Sequence, residues 1–231
     1  MYGVTIGDKH SYKDFGLILS SQAIAPPEPR IKLVDVPMRD GSVDLTEAVS
    51  DTVRYQDRKI TLTFSVIDAR NTWVDKISKI QNYLHGQRMK IVFDEDTSFY
   101  YIGRVQVNTW TSSDNIGKLV LNCTVEPYKY DLYSTSEEWI WDTFDFEYGV
   151  ANDAIDITVS GTTTTTIIGR PKGTAPIFTA NAEMTVTVDG VTYDIHNGTT
   201  RLYDLILKDG ENVFTFSGNG TVTIDYRGGS L

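Results

Sequence analysis

The sequence predicts a mainly β protein of two domains: an α+β N-terminal domain with one helix packed on an antiparallel, split-barrel-like sheet, and a C-terminal all-β sandwich. Three observations predict it. Apolar residues recur at period two along most of the 231 residues. One segment alone, residues 71–85, carries them at helical spacing. Four turn dipeptides, Asp189-Gly190, Asn197-Gly198, Asp209-Gly210 and Asn219-Gly220, punctuate the C-terminal part at intervals of 8, 12 and 10 residues, the cadence of short antiparallel strands.

Taken in order, Val4 and Ile6, then Phe15, Leu17 and Leu19, alternate weakly before Pro26-Pro27-Glu28-Pro29 breaks any regular element. Ile31 and Leu33 restart an extended chain, and Pro37-Met38-Arg39-Asp40-Gly41 is a turn leading into Val43-Asp44-Leu45-Thr46. Residues 36–54 are therefore expected to form a protruding hairpin or arm, whose mixed charges and few large apolar groups suit an exposed or intersubunit location. Ile60, Leu62, Phe64 and Val66 mark a strand with one buried face. Asn71 is expected to cap the helix that follows, with Trp73, Ile77, Ile80 and Leu84 on its apolar stripe and Gly86 in the left-handed position past its end. A helix of that length is marginal in water. Burying its four apolar side chains at roughly 1.5–3 kcal/mol each is what holds it on a sheet.

Met89, Ile91 and Phe93 then alternate up to the acidic turn Asp94-Glu95-Asp96, a strand runs through Tyr101 and Val105, and residues 118–125 close the first domain. Pro127-Tyr128-Lys129-Tyr130-Asp131 is expected to leave the sheet, and Ser134-Thr135-Ser136-Glu137-Glu138 reads as a polar linker, which places the boundary between residues 136 and 137. In the second domain Met184, Val186 and Val188, then Val191, Tyr193 and Ile195, then Val222, Ile224 and Tyr226 all alternate. The run Thr162 to Thr166 reads as an exposed strand rather than disorder, because β-branched threonines favour extended backbone.

Charge separates the halves. Residues 1–136 hold 16 Lys/Arg against 17 Asp/Glu, whereas residues 137–231 hold 5 against 14. A net charge of −10 with no basic cluster along the sequence argues against nucleic-acid binding, which needs Lys and Arg to displace phosphate counterions. No run approaches 18 apolar residues and the N-terminus lacks the regions of a signal peptide, so the expectation is a chain made and folded in a cytoplasm with no membrane insertion. Cys123, the only cysteine, sits among Leu119, Leu121 and Val125 and is expected to be a buried strand thiol.

Catalytic and cofactor chemistry finds little support. His10, His85 and His196 lack the close spacing of a zinc site, and no nucleophile elbow, Walker loop or dinucleotide fingerprint occurs. Asp94-x-Asp96 begins like a calcium loop but has Phe99 and Val105 where Gly and Glu are needed. The expectation is no enzyme, no metal and no cofactor. Two alternatives stay open: a cell-wall carbohydrate-binding module stacking sugars on Trp139 or Trp141, and a wall glycoside hydrolase using two of the 31 carboxylates.

The order of features carries a resemblance. Gly16-Leu17, Asp40-Gly41, Asp44-Leu45-Thr46, Tyr55-x-Asp57-Arg58, Leu84-His85-Gly86, Phe93-Asp94, Tyr100-Tyr101-x-Gly103-Arg104 and Pro127-Tyr128-Lys129-Tyr130 follow one another along the chain. Together with the closing run Thr221-Val222-Thr223-Ile224-Asp225-Tyr226-Arg227-Gly228-Gly229, they make the sequence resemble the distal tail protein (Dit) family of siphophages and prophages of Gram-positive bacteria. Met38 departs from the family, many members having Gly after the proline. The resemblance implies a structural virion protein at the tail tip, a baseplate hub whose N-terminal domain closes a homohexameric ring and whose C-terminal domain is a galectin-like sandwich. Implied partners are the tail tube and tape measure proteins above, the tail-associated protein below, and a receptor-binding protein at the C-terminal domain, whose acidity would select a basic docking surface. It also implies interface roles for Arg39, Asp40, Asp44, Arg54, Tyr55 and Arg58. A plain cross-strand pairing of Asp57 with Arg58 is the competing reading for the last of these.

Overall fold

The computed structural model describes residues 3–48, 52–66, 68–113, 116–137 and 154–231. The chain is mainly β and divides into two units, residues 1–95 with 101–127 and residues 96–100 with 128–231.

In the first unit, β1 (Val4–Ile6), β2 (Lys9–His10) and β3 (Leu17–Ile24) precede a separate hairpin, β4 (Leu33–Asp35) and β5 (Ser42–Asp44). Then come β6 (Arg58–Val66), the helix α1 (Trp73–Leu84), β7 (Arg88–Phe93), β8 (Asp96–Ser112) and β9 (Gly117–Val125). Seven of these strands form an open half-barrel in the order β2-β1-β7-β8-β9-β6-β3. The boundary between the units falls inside β8, whose residues 96–100 group with the second. Strict alternation builds the central ladder: Ile60, Leu62, Phe64 and Val66 on β6 face the core with Leu119, Leu121, Cys123 and Val125 on β9.

The helix supplies Trp73, Ile77, Ile80 and Leu84 to that same core, the four residues its periodicity singles out. Its ends differ from expectation in one respect. A 3₁₀ turn, Arg70–Thr72, precedes it, so Thr72 rather than Asn71 is the cap, and the Thr72 hydroxyl donates back to the Ala69 carbonyl instead of satisfying the first helical amides. What fixes the entrance is Trp73, whose indole Nε1 donates to the Asp68 carbonyl at 2.7 Å. At the exit Gly86 takes φ 77°. Its amide leaves the helix to donate to the Val105 carbonyl, tying the turn to the sheet.

The second unit contains β10 (Lys129–Asp131), β11 (Ile157–Gly169), β12 (Ile177–Ala180), β13 (Met184–Val188), β14 (Val191–Ile195), β15 (Gly198–Arg201), β16 (Gly210–Asp225) and β17 (Gly229–Ser230). The long β16 organises it. It pairs with β11 along thirteen residues, while its other edge pairs first with β13 around Phe216 and then with β12 around Ile224. The partner changes at Gly218 and Gly220, whose φ of 149° and 152° suit glycine alone. Across that break Phe178 of β12 meets Phe214 and Phe216 of β16 at 6.1 and 6.3 Å between ring centroids. Thr162 to Thr166 lie within β11, on the edge of this sheet, half-buried or exposed.

The expectation that residues 127–131 leave the sheet is corrected. Lys129–Asp131 is a strand, pairing with Phe99 and Tyr100 on one side and with Gly229 and Ser230 on the other. The Tyr100 and Tyr130 rings stack at 5.5 Å, with Arg227 over the first and Lys172 over the second. Asp131 accepts from Arg170 at 3.3 Å, and Arg227 donates to the Asp131 carbonyl at 2.9 Å. Burial raises the Asp131 carboxyl above its ordinary range, against the pull of Arg170, Arg227 and Lys129.

Candidate functional site

Among the described residues no cluster of three or more His, Cys, Asp or Glu could hold a metal ion. Cys123 lies in the core, where burial pushes its thiol up to about 12; at neutral pH it is no nucleophile. His10 is spoken for structurally, its Nε2 meeting Asp94 at 3.0 Å and its Nδ1 accepting the amides of Tyr12 and Lys13. His85 accepts the Val107 amide.

The feature that stands apart is the arm. It is longer than residues 36–54: its base is closed by the bridge between Pro29 and Tyr55, by the Arg30 amide to the Arg54 carbonyl at 2.7 Å, and by the Gln56 amide to the Glu28 carbonyl at 2.8 Å. Pro26 to Pro29 set the exit from β3 because proline cannot continue a ladder. Beyond the base, β4 and β5 pair as a two-stranded sheet of their own in the register Leu33–Asp44, Val34–Val43 and Asp35–Ser42. Side chains lock the register. The Ser42 hydroxyl donates to Asp35 at 2.6 Å, the Lys32 amide donates to the Thr46 hydroxyl, and Asp44 accepts the Thr46 amide at 2.9 Å. The Thr46 hydroxyl and then its amide hold the Asp44 carboxyl below its ordinary range.

An isolated two-stranded hairpin is marginal in water, and this one exposes what a stable hairpin would bury. Ile31, Leu33, Val36, Met38 and Leu45 are all exposed, Leu33 at 57%. Val36, Met38 and Leu45 fall within residues 36–54, while Ile31 and Leu33 belong to the added length of the arm. At its tip Met38 is fully exposed at φ 65°, a left-handed conformation that favours glycine.

Of the residues the resemblance implicates, Arg39, Asp40, Asp44, Arg54 and Tyr55 lie on the arm, the first four exposed and Tyr55 half-buried at its base. Arg58 does not. It opens β6 on the core side, 6% exposed, donates to the Tyr101 hydroxyl at 3.3 Å and lies over the Tyr101 ring. Among the described residues it makes no ion pair with Asp57, which is exposed. Trp139 and Trp141 lie outside the described residues. The alternation of Ile31 and Leu33 marks an extended segment in the sequence but does not say that the face it marks is exposed.

No family model and no curated protein matches the sequence. The fold is that of a Dit-like distal tail protein. A similar solved structure is the crystal structure of SPP1 Dit (gp 19.1), described as a paradigm of the hub adsorption apparatus in phages infecting Gram-positive bacteria; the two chains share 14% identity, align over 100% of each and superpose with a TM-score of 0.68.

Proposed function

We propose that this chain is a structural subunit of a phage tail tip, a hub that joins the tail to its adsorption apparatus and catalyses nothing. The observation that carries the reading is the full-length likeness to a hub adsorption protein, across both units and with no part of either chain left over. Within that reading, copies of the first unit assemble into a ring, six in number by the family resemblance, and the arm reaches onto the neighbouring copy. The five exposed apolar side chains of the arm supply the driving force, since burying each is worth roughly 1.5–3 kcal/mol. Arg39, Asp40, Asp44 and Arg54 around them supply orientation through charge complementarity. The tail tube and tape measure proteins on one side, the tail-associated protein on the other and a receptor-binding protein at the second unit complete the set of partners.

Negative-stain images of the purified full-length protein, alone and produced together with its neighbouring tail proteins, test this reading. Closed rings with a central opening are expected. Single subunits in both preparations would overturn it.

A further inference from the structure

The strands of the first unit have a second face, turned away from α1 and the core, and its composition is unlike that of the chain as a whole. On β6 it presents Lys59, Thr61, Thr63 and Ser65; on β9, Lys118, Val120, Asn122 and Thr124; on β8, Arg104 and Gln106; and on β7, Arg88 and Lys90. Pairing brings these into rows: Lys59, Thr124 and Arg104 form one, and Thr61, Asn122 and Gln106 the next. The Thr61 hydroxyl donates to Asn122 at 3.4 Å. Lys118 lies six residues along β9 from the first row, about 20 Å away.

Along β6, β7, β9 and residues 102–106 of β8 this face thus carries five cations and no carboxylate, in a protein of net charge −10. Among the described residues, carboxylates reach it at one end, where Glu126 pairs with Arg88 and Asp57 lines the same groove as Arg104. Lys59 and Lys118 make no ion pair among the described residues. Everything between the cations is a hydroxyl, an amide or a small half-buried aliphatic group. A protein-binding patch would centre on aromatic, Met or Leu anchors and be poor in lysine, whereas Lys and Arg interleaved with Ser, Thr, Asn and Gln are the groups that contact a phosphate backbone.

We propose that this face is a sequence-independent contact surface for the phosphate backbone of double-stranded nucleic acid, with Lys59, Lys90, Arg104 and Lys118 as the contacting cations. The linear sequence conceals it, because the four are scattered one per strand between residues 59 and 118 and only the sheet gathers them. The inference does not rest on ring assembly, and its test works in any oligomeric state.

Fluorescence anisotropy of a labelled 30-base-pair duplex of arbitrary sequence, titrated with the full-length protein, reads it. Binding at low salt is expected with a slope of log K against log salt of roughly −3 for three to four phosphate contacts, so that affinity falls roughly 40- to 150-fold between 50 and 200 mM salt. Lys59→Gln/Lys118→Gln should weaken binding and flatten the slope by about 1.8, while Lys9→Gln/Lys79→Gln, in the groove beside α1, should leave both unchanged. No binding at 20 mM salt, equal loss in the two double variants, or poly-glutamate competing as well as the duplex would each overturn the assignment, the last in favour of an acidic protein partner.

Discussion

Trp73 meets Trp110 edge to face, the ring centroids 5.7 Å apart and the planes at 88°. The contact joins the first turn of α1 to the far end of β8, and the indole N–H of Trp73 is satisfied by the Asp68 carbonyl at the same point. One residue thus starts the helix, seats it and closes the core beside it.

Trp73→Ala is expected to cost about 3–5 kcal/mol, since it removes a large buried ring and leaves a cavity the helix cannot fill. Chemical denaturation followed by circular dichroism measures it. A variant that unfolds at the parent's midpoint would show that the helix is held elsewhere.

Cys123 provides a probe of the central ladder. With its thiol buried and pushed up to about 12, it should resist a thiol-specific reagent at pH 8 in the native protein and react at the rate of a free cysteine once the protein is unfolded. Rapid labelling of the folded protein would mean that β9 opens or is not buried.

Asp131 predicts a pH dependence with a definite sign. Burial raises its carboxyl in the folded state, Arg170 and Arg227 notwithstanding, so the unfolded chain gives up this proton at a lower pH than the folded one. The stability from this group is therefore full below the unfolded value of about 3.9 and is lost as pH rises through the folded value. The stability of the parent relative to Asp131→Asn, measured by urea unfolding, should accordingly fall between pH 3.5 and pH 7. A relative stability that grows over that interval would mean that the arginines outweigh burial.

How much of this was legible in the sequence depended on where each side chain finds its partners. The buried stripe of α1 was readable because the four residues that make it lie within twelve positions, and the β6 and β9 faces because alternation is local. Strand β10 was not, since Lys129 and Tyr130 pair with Ser230 and Gly229, about a hundred positions away. The burial of Arg58 was not legible either, since the Tyr101 hydroxyl and ring that hold it lie 43 positions on. The arm's extent was hidden in the same way, its base being closed by residues 29 and 55.

Exposed apolar groups at the arm predict that assembly and stability can be separated. Leu33 and Leu45 belong to neither core, so Leu33→Asp/Leu45→Asp should melt within about 0.5 kcal/mol of the parent while losing the proposed contact with a second copy.

Sedimentation velocity of the full-length protein and of Leu33→Asp/Leu45→Asp, across a concentration series, tests the ring most directly. The parent should sediment as a closed oligomer at high concentration and the variant as a folded monomer. A parent that stays monomeric at every concentration, with or without its neighbouring tail proteins, or a variant that assembles as well as the parent, would contradict it.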